Sequence, residues 1–218
     1  MDTIAHPAVA TRSFDWKRIV VRVLREPFRA MTWRRLAYIV LALPVGLLCV
    51  LIALVGGPAG RVQRGLARSL LGDETPAPVQ GRARTALAFV HAVLSTPVNL
   101  AAIAVCGYFW TIVLINLGYP LRSDTTAESL AHAWGGPSLA GAWAVHAVGG
   151  GLTFLFLTPW VMRGFNALQA ALIRAFLSDP ASGGAPASGG LTRGRAVALA
   201  LGVCAACAAL SVPVIHQL

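Results

Sequence analysis

The chain has 218 residues, of which 56% are hydrophobic and only 12% charged, and its formal charge is +10. Charged residues at half the ~25% usual for soluble domains cannot cover a water-soluble globule, which excludes an ordinary soluble enzyme or binding domain. The basic residues are nearly all Arg, with Lys17 the lone Lys. They flank long apolar runs, so their expected partner is a lipid bilayer with anionic headgroups, and nucleic acid is not expected.

Residues 1–14 are polar and are expected to be disordered. Residues 15–35 read as a basic amphipathic helix. Trp16, Ile19, Val20, Val23 and Leu24 share one face, and Arg18, Arg22, Arg25 and Arg29 the other. A helix of this kind lies flat on anionic lipid. Glu26-Pro27 interrupts the pattern, and Trp33-Arg34-Arg35 suits an interfacial anchor. Residues 36–56 form an apolar run long enough to span. After Gly57-Pro58 comes a second basic helix over 60–71, with Arg61, Arg64 and Arg68 opposite Val62, Leu66 and Leu70. A polar linker, 73–80, follows.

The stretch 84–117 is too long for one upright helix, and Ser95-Thr96-Pro97 divides it. This predicts a tilted or interfacial piece over 84–94 and a spanning helix over 98–117. A polar loop fills 119–137. Residues 138–160 form the next span, where Gly141 and Gly149-Gly150-Gly151 permit close helix contact. Residues 161–177 are amphipathic, with Val161, Phe165, Leu168, Leu172 and Phe176 against Arg163, Asn166 and Arg174. A flexible Gly/Ser/Pro/Ala linker, 178–195, leads to an Ala-rich span at 196–218.

The basic residues fall unevenly: eight in 1–35, five in 57–85, one in 119–137, four in 161–195 and none beyond. The positive-inside rule then places the N-terminus in the cytoplasm and the C-terminus outside a bacterial plasma membrane. The first apolar run does not fit, because both its flanks are basic. Pro44-Val45-Gly46 offers a break, so a re-entrant hairpin is expected there in preference to an ordinary span. The expected fold is an all-α integral membrane protein. It has three transmembrane helices plus a re-entrant, or fourth spanning, segment.

Several motifs carry a resemblance. Arg34-Arg35-Leu36-Ala37-Tyr38, Leu43-Pro44-Val45-Gly46 and Arg64-Gly65-Leu66-Ala67-Arg68 before Leu71-Gly72 belong to the first half. Pro97, Gly135-Gly136-Pro137, Gly141-Ala142-Trp143, His146, Pro159-Trp160 and Arg163-Gly164 belong to the second. Over residues 33–177 the chain resembles the actinobacterial membrane sensor domain that precedes some histidine kinases and also occurs alone. The resemblance implies two hairpins, each followed by a basic amphipathic helix, and a sensing role. Here the first hairpin is short, no kinase module follows, and a linker and a further span are added.

Candidate site residues are few. His146 lies within a span beside the triple glycine, and an intramembrane ionisable group is a functional candidate by default. A neutral His bonded between helices is the plainer alternative. Asn116 sits near the end of the preceding span, where it can line a cavity. Thr125 to Glu128 reads as a capping box, which puts Glu128 and His132 one turn apart. That spacing suits a metal or a pH sensor, or simply a solvated helix packed through Leu130 and Trp134. Cys204-Ala-Ala-Cys207 lies mid-run, where small packing residues are expected. Arg18, Arg22, Arg25, Arg61, Arg64, Arg68 and Arg163 are expected at the membrane or partner surface.

Neither catalysis nor a cofactor is expected, since no nucleophile–base set and no carboxylate falls inside a span. The expected function is a stand-alone, sensor-like membrane protein acting through another membrane or cytoplasmic protein, compatible with a homo- or hetero-oligomer. The alternatives are an accessory subunit of a larger membrane complex or, more weakly, a small transporter or lipid-handling protein.

Overall fold

The computed structural model describes residues 16–73, 77–81, 83–122, 125–179 and 191–215. The predictions for 1–14 and for most of 178–195 lie outside the described residues, as do residues 216–218 of the last predicted span.

An apolar segment away from water satisfies its backbone N–H and C=O groups most cheaply within itself, as a helix. Accordingly the described residues are all-α and contain no strand. In chain order the helices are α1 (Trp16–Arg25), α2 (Ala30–Leu54), α3 (Ala59–Leu71), α4 (Ala83–Leu117), α5 (Ala127–His132), α6 (Leu139–His146), α7 (Thr153–Leu177) and α8 (Arg193–Ile215). A 3-10 turn at Glu26–Phe28 separates α1 from α2, and a π-helical segment, Ala147–Leu152, joins α6 to α7. Among the described residues four rods are long and apolar enough to cross a membrane: Ala30–Leu54, Ala83–Leu117, Leu139–Leu177 and Arg193–Ser211. They are compatible with a multi-pass membrane protein.

The prolines do not cut the helices where the sequence suggested. Pro44, Pro97 and Pro159 all lie inside continuous helices. A proline removes one donor and crowds the preceding turn, and neighbouring side chains supply bonds beside each defect. Thr96 Oγ1 donates to Ala92 O at 2.8 Å and Thr158 Oγ1 to Phe154 O at 2.6 Å. Beside Pro44, Asn99 Nδ2 donates to Ala42 O at 3.0 Å. The expected break at Pro44-Val45-Gly46 is therefore absent, and α2 is one 25-residue helix. In the same way 84–94 and 98–117 are one helix, and no boundary falls between 160 and 161.

The reversal comes after α2 instead. Gly56 takes a φ of 73°, a left-handed conformation that glycine adopts without a Cβ penalty. Beyond it α3 turns back along α2: Cys49 Sγ contacts Ala59 O at 3.6 Å, and at the far end Arg34 donates to Ser69 O. A hairpin does exist here, but its return limb is the basic helix and not half of the apolar run.

α2 and α4 run antiparallel. Trp33 stacks on Trp110 at 5.6 Å near one end, and Gly46 meets Asn99 and Thr96 further along. α4 and α7 are antiparallel as well, with Phe109 edge-on to Phe154 at 4.8 Å and Gln169 bonded to Asn99. α8 returns along α7, with Arg193 Nε donating to Ala175 O at 2.9 Å and Ala196 and Ala200 buried. Met162, Leu172, Ile173, Val98 and Cys49 fill the core, while Leu47, Leu48, Leu51, Leu54, Leu114 and Ile115 point outward.

The antiparallel α2–α4 pair predicts a specific cross-link. In a chain with its native cysteines replaced, Trp33→Cys with Trp110→Cys should be joined by a short bis-thiol reagent. Trp33→Cys with Arg84→Cys should not, and the opposite pattern, read by gel mobility, would mean a parallel pair.

Candidate functional site

Two polar centres lie within the bundle. The first is a layer at its middle. Asn99, 4% exposed, donates to Ala42 O on α2 and accepts from Gln169 Nε2 on α7 at 2.6 Å. Gln169 also reaches Ser95 O at 3.4 Å. Gly46 makes this possible, since a Cβ there would lie 3.2 Å from Asn99 Nδ2. A small cavity of about 10 Å³ adjoins the layer, bordered by Tyr38, Gln63, His91, Ser95, Asn99 and Gln169. His91 is buried on α4, and among the described residues neither of its ring nitrogens has a hydrogen-bond partner; nor has Gln63 Oε1. Buried polar groups are ordinarily paired, so two unpaired ones beside one cavity set this layer apart.

The second centre holds Glu26, whose carboxylate is fully buried although the residue precedes the first span. Arg163 on α7 donates to its Oε1. Arg35 Nη1 lies 3.5 Å from the same oxygen, and Arg29 Nη1 lies 3.4 Å from Oε2. Thr32 Oγ1 donates to the Glu26 carbonyl at 2.7 Å, and the Arg163 guanidinium rests 4.5 Å over the Trp160 ring. One carboxylate thus ties the α1–α2 turn to the side of α7. Charge-assisted bonds of this kind are roughly twice as strong as neutral ones.

The expected site residues distribute unevenly. His146 closes α6, where Nδ1 lies 2.9 Å from Ala142 O and the ring stacks on Tyr119 at 4.3 Å. Asn116 donates to Ile112 O at 2.8 Å and sits against Gly150, where a Cβ would come within 2.4 Å of its carboxamide. The triple glycine lets the π segment close onto α4, and these two residues share that contact region. Glu128 and His132 are exposed on α5, and among the described residues no group of three or more His, Cys, Asp or Glu gathers to hold a metal. The α5 cap is Thr126, not Thr125: its side chain accepts from Ser129 N at 3.2 Å. Leu130 packs inward as expected, but Trp134 is 81% exposed. Cys204 and Cys207 are half-buried against the core.

Arg18, Arg22 and Arg25 lie on α1, which buries none of its residues. Arg61 and Arg68 are exposed on α3. Two arginines depart from the surface role. Arg64 is buried and donates to Leu177 O at 3.4 Å, and Arg163 is taken up by Glu26. Asn166, placed on a polar face by the pattern, is buried on α7. Sequence reasoning missed Glu26, His91 as a core residue, and the pairing of Asn99 with Gln169. The one available signal was an acid set among six arginines between Arg18 and Arg35.

Glu26→Gln should lower stability by about 1–3 kcal/mol, the cost of stripping charged donors of their acceptor. Arg163→Gln should cost less, because Arg29 and Arg35 still hold Glu26; unfolding midpoints in detergent check the order. Asn99→Ala should also cost about 1–3 kcal/mol by leaving Gln169 and the Ala42 carbonyl short of partners. His91→Leu should be nearly neutral or stabilising, since it removes an unpaired buried imidazole. A large loss for His91→Leu would mean the ring has a partner.

A scan against protein-family models, a search of curated proteins and a search of solved structures each gave no match.

Proposed function

We propose that this chain is a non-catalytic plasma-membrane protein of the sensor type, which passes a signal to a partner protein, in keeping with its resemblance to the actinobacterial membrane sensor domain. The ends of α4, α7 and α8 that carry Arg84, Arg174 and Arg193 are assigned to the cytoplasm by their charge. The antiparallel α2–α4 pair then sets the start of α2, with Arg34 and Arg35, at the opposite end together with the end of α8, which departs from the expected cytoplasmic N-terminus. The observation that carries the reading is the polar layer. Gln63 on α3, His91, Ser95 and Asn99 on α4 and Gln169 on α7 meet at one cavity, where apolar side chains would pack more stably. Unpaired polar groups cost free energy in one arrangement of the helices and favour a second in which they find partners. α3 then becomes the moving part, because it is short, basic and joined to α2 through glycines.

The accessory-subunit reading draws on α8, where Gly202, Ala205, Ala206 and Ala209 face outward. Small residues on a lipid-facing helix suit contact with another helix. Spin labels at Arg68→Cys and Leu121→Cys, in a chain with its native cysteines replaced, separate the two readings. In lipid nanodiscs the sensor reading expects two distance populations that His91→Leu reduces to one. A single narrow population in every bilayer and in both chains would sink it and leave the subunit reading.

A further inference from the structure

At the basic end of the bundle a groove of about 350 Å³ lies between α3, the start of α4 and the end of α7. Its size falls within the roughly 300–1,000 Å³ typical of ligand pockets. Its construction follows from the turn after α2. Gly60 brings α3 close to its neighbours, a Cβ there lying 3.4 Å from Leu177 Cδ2 and 3.6 Å from Ala88 Cβ. The chain at Pro78–Val79 forms the third wall. Val79 N donates to Leu177 O at 3.3 Å and Asp179 N to Ala77 O at 2.9 Å, so this wall is fastened to the end of α7 by its own backbone.

The groove has two chemical surfaces. One is cationic: Arg61, Arg64 and Arg68 follow at i, i+3 and i+7 along one face of α3, and Arg84 stands at the start of α4. The start of α3 adds the positive end of its helix dipole. Among the described residues lining the groove none is acidic, and nearby Asp73 is engaged by Arg174 at 3.0 Å. Burial, and after it the charge of Arg68, push the Arg64 guanidinium pKa downward, so the arginines of this wall repel one another. The other surface is apolar: Ala88, Phe176, Leu177 and Val79. Leu54 and Val55, 65% and 84% exposed, continue apolar surface from the end of α2.

A free anion would use the arginines and leave the apolar floor bare, whereas an amphiphile uses both. The groove also sits where apolar α2 stops and α4 begins, the height at which headgroups lie beside a spanning helix. We propose that this groove binds the headgroup of an anionic phospholipid, with its phosphate held by Arg61, Arg68 and Arg84 and its glycerol backbone laid on Ala88, Phe176 and Leu177. Arg64, whose guanidinium holds the Leu177 carbonyl, keeps the floor and the cationic wall together. The site stands apart from the sensor reading, since a lipid held here fastens α3 to α4 and α7 whether or not the chain signals.

The test uses the full chain in detergent, with thermal unfolding and native mass spectrometry as readouts. Phosphatidylglycerol should raise the unfolding temperature and remain bound. Phosphatidylcholine, and inorganic phosphate at the same concentration, should do neither. Arg61→Gln with Arg68→Gln and Arg84→Gln should weaken phosphatidylglycerol retention at least tenfold. Arg18→Gln with Arg22→Gln and Arg25→Gln, which removes equal charge from α1, should leave it unchanged. Should the groove variant fail to fold, Arg84→Glu alone, at an exposed helix start, should cut the shift by more than half. Equal loss from the α1 variant would mean diffuse charge attraction and overturn the site. An equal shift with phosphatidylcholine would remove the need for charge, and one with inorganic phosphate would assign a free anion; either result overturns the lipid assignment.

Discussion

Asn99 donates to a carbonyl of α2 and accepts from a side chain of α7, so one carboxamide on α4 fixes the relative heights of three helices. Apolar contacts alone do not do this, because they are non-directional and tolerate sliding. Among low-dielectric surroundings a satisfied hydrogen bond is strong and its loss expensive, which makes the layer a register mark. Other features then follow at set heights. Gly46 must be small where the carboxamide passes, Trp33 meets Trp110 toward one end, and Glu26 arrives beside Arg163. The unpaired His91 sits beside the same mark, so cohesion and frustration share one place.

Charge organises the outside as hydrogen bonding organises the inside. Two groups of arginines lie at different heights. One surrounds the groove at the foot of the bundle, and the other gathers on Glu26. Arg163 lies fourteen residues before the end of α7, so about 21 Å separates the two levels. The upper group has its own carboxylate and the lower group lacks one among the residues that line its groove.

Much of the architecture was legible because hydropathy and period are local. The helical class, α1, α3, the final helix and the inward face of α7 at Phe165, Leu168, Leu172 and Phe176 all follow from spacing. The prolines misled, since the rule that proline ends helices holds best where water can take the freed carbonyl. Here Thr96, Thr158 and Asn99 supply bonds beside the defect, and one of those three partners comes from another helix. Tertiary partners also explain Arg64, Arg163 and Asn166, each polar by pattern and enclosed by neighbours remote in sequence. Charge counting placed basic flanks on both sides of α2 but had no means of showing that α3 folds back along it.

The unequal lengths of the rods have a mechanical consequence. At 35 residues α4 is about 52 Å long, while α2 and α8, at 25 and 23, are about 38 and 35 Å. A hydrocarbon layer near 30 Å thick accommodates the shorter two with modest tilt. It leaves about 22 Å of α4, some four turns, in headgroups or water. A change in bilayer thickness therefore wets or dries the ends of α4, where Val90 and Val93 face outward at one extreme and Leu114 and Ile115 at the other. α4, with the 39-residue Leu139–Leu177 rod beside it, is thus an element on which bilayer thickness acts directly.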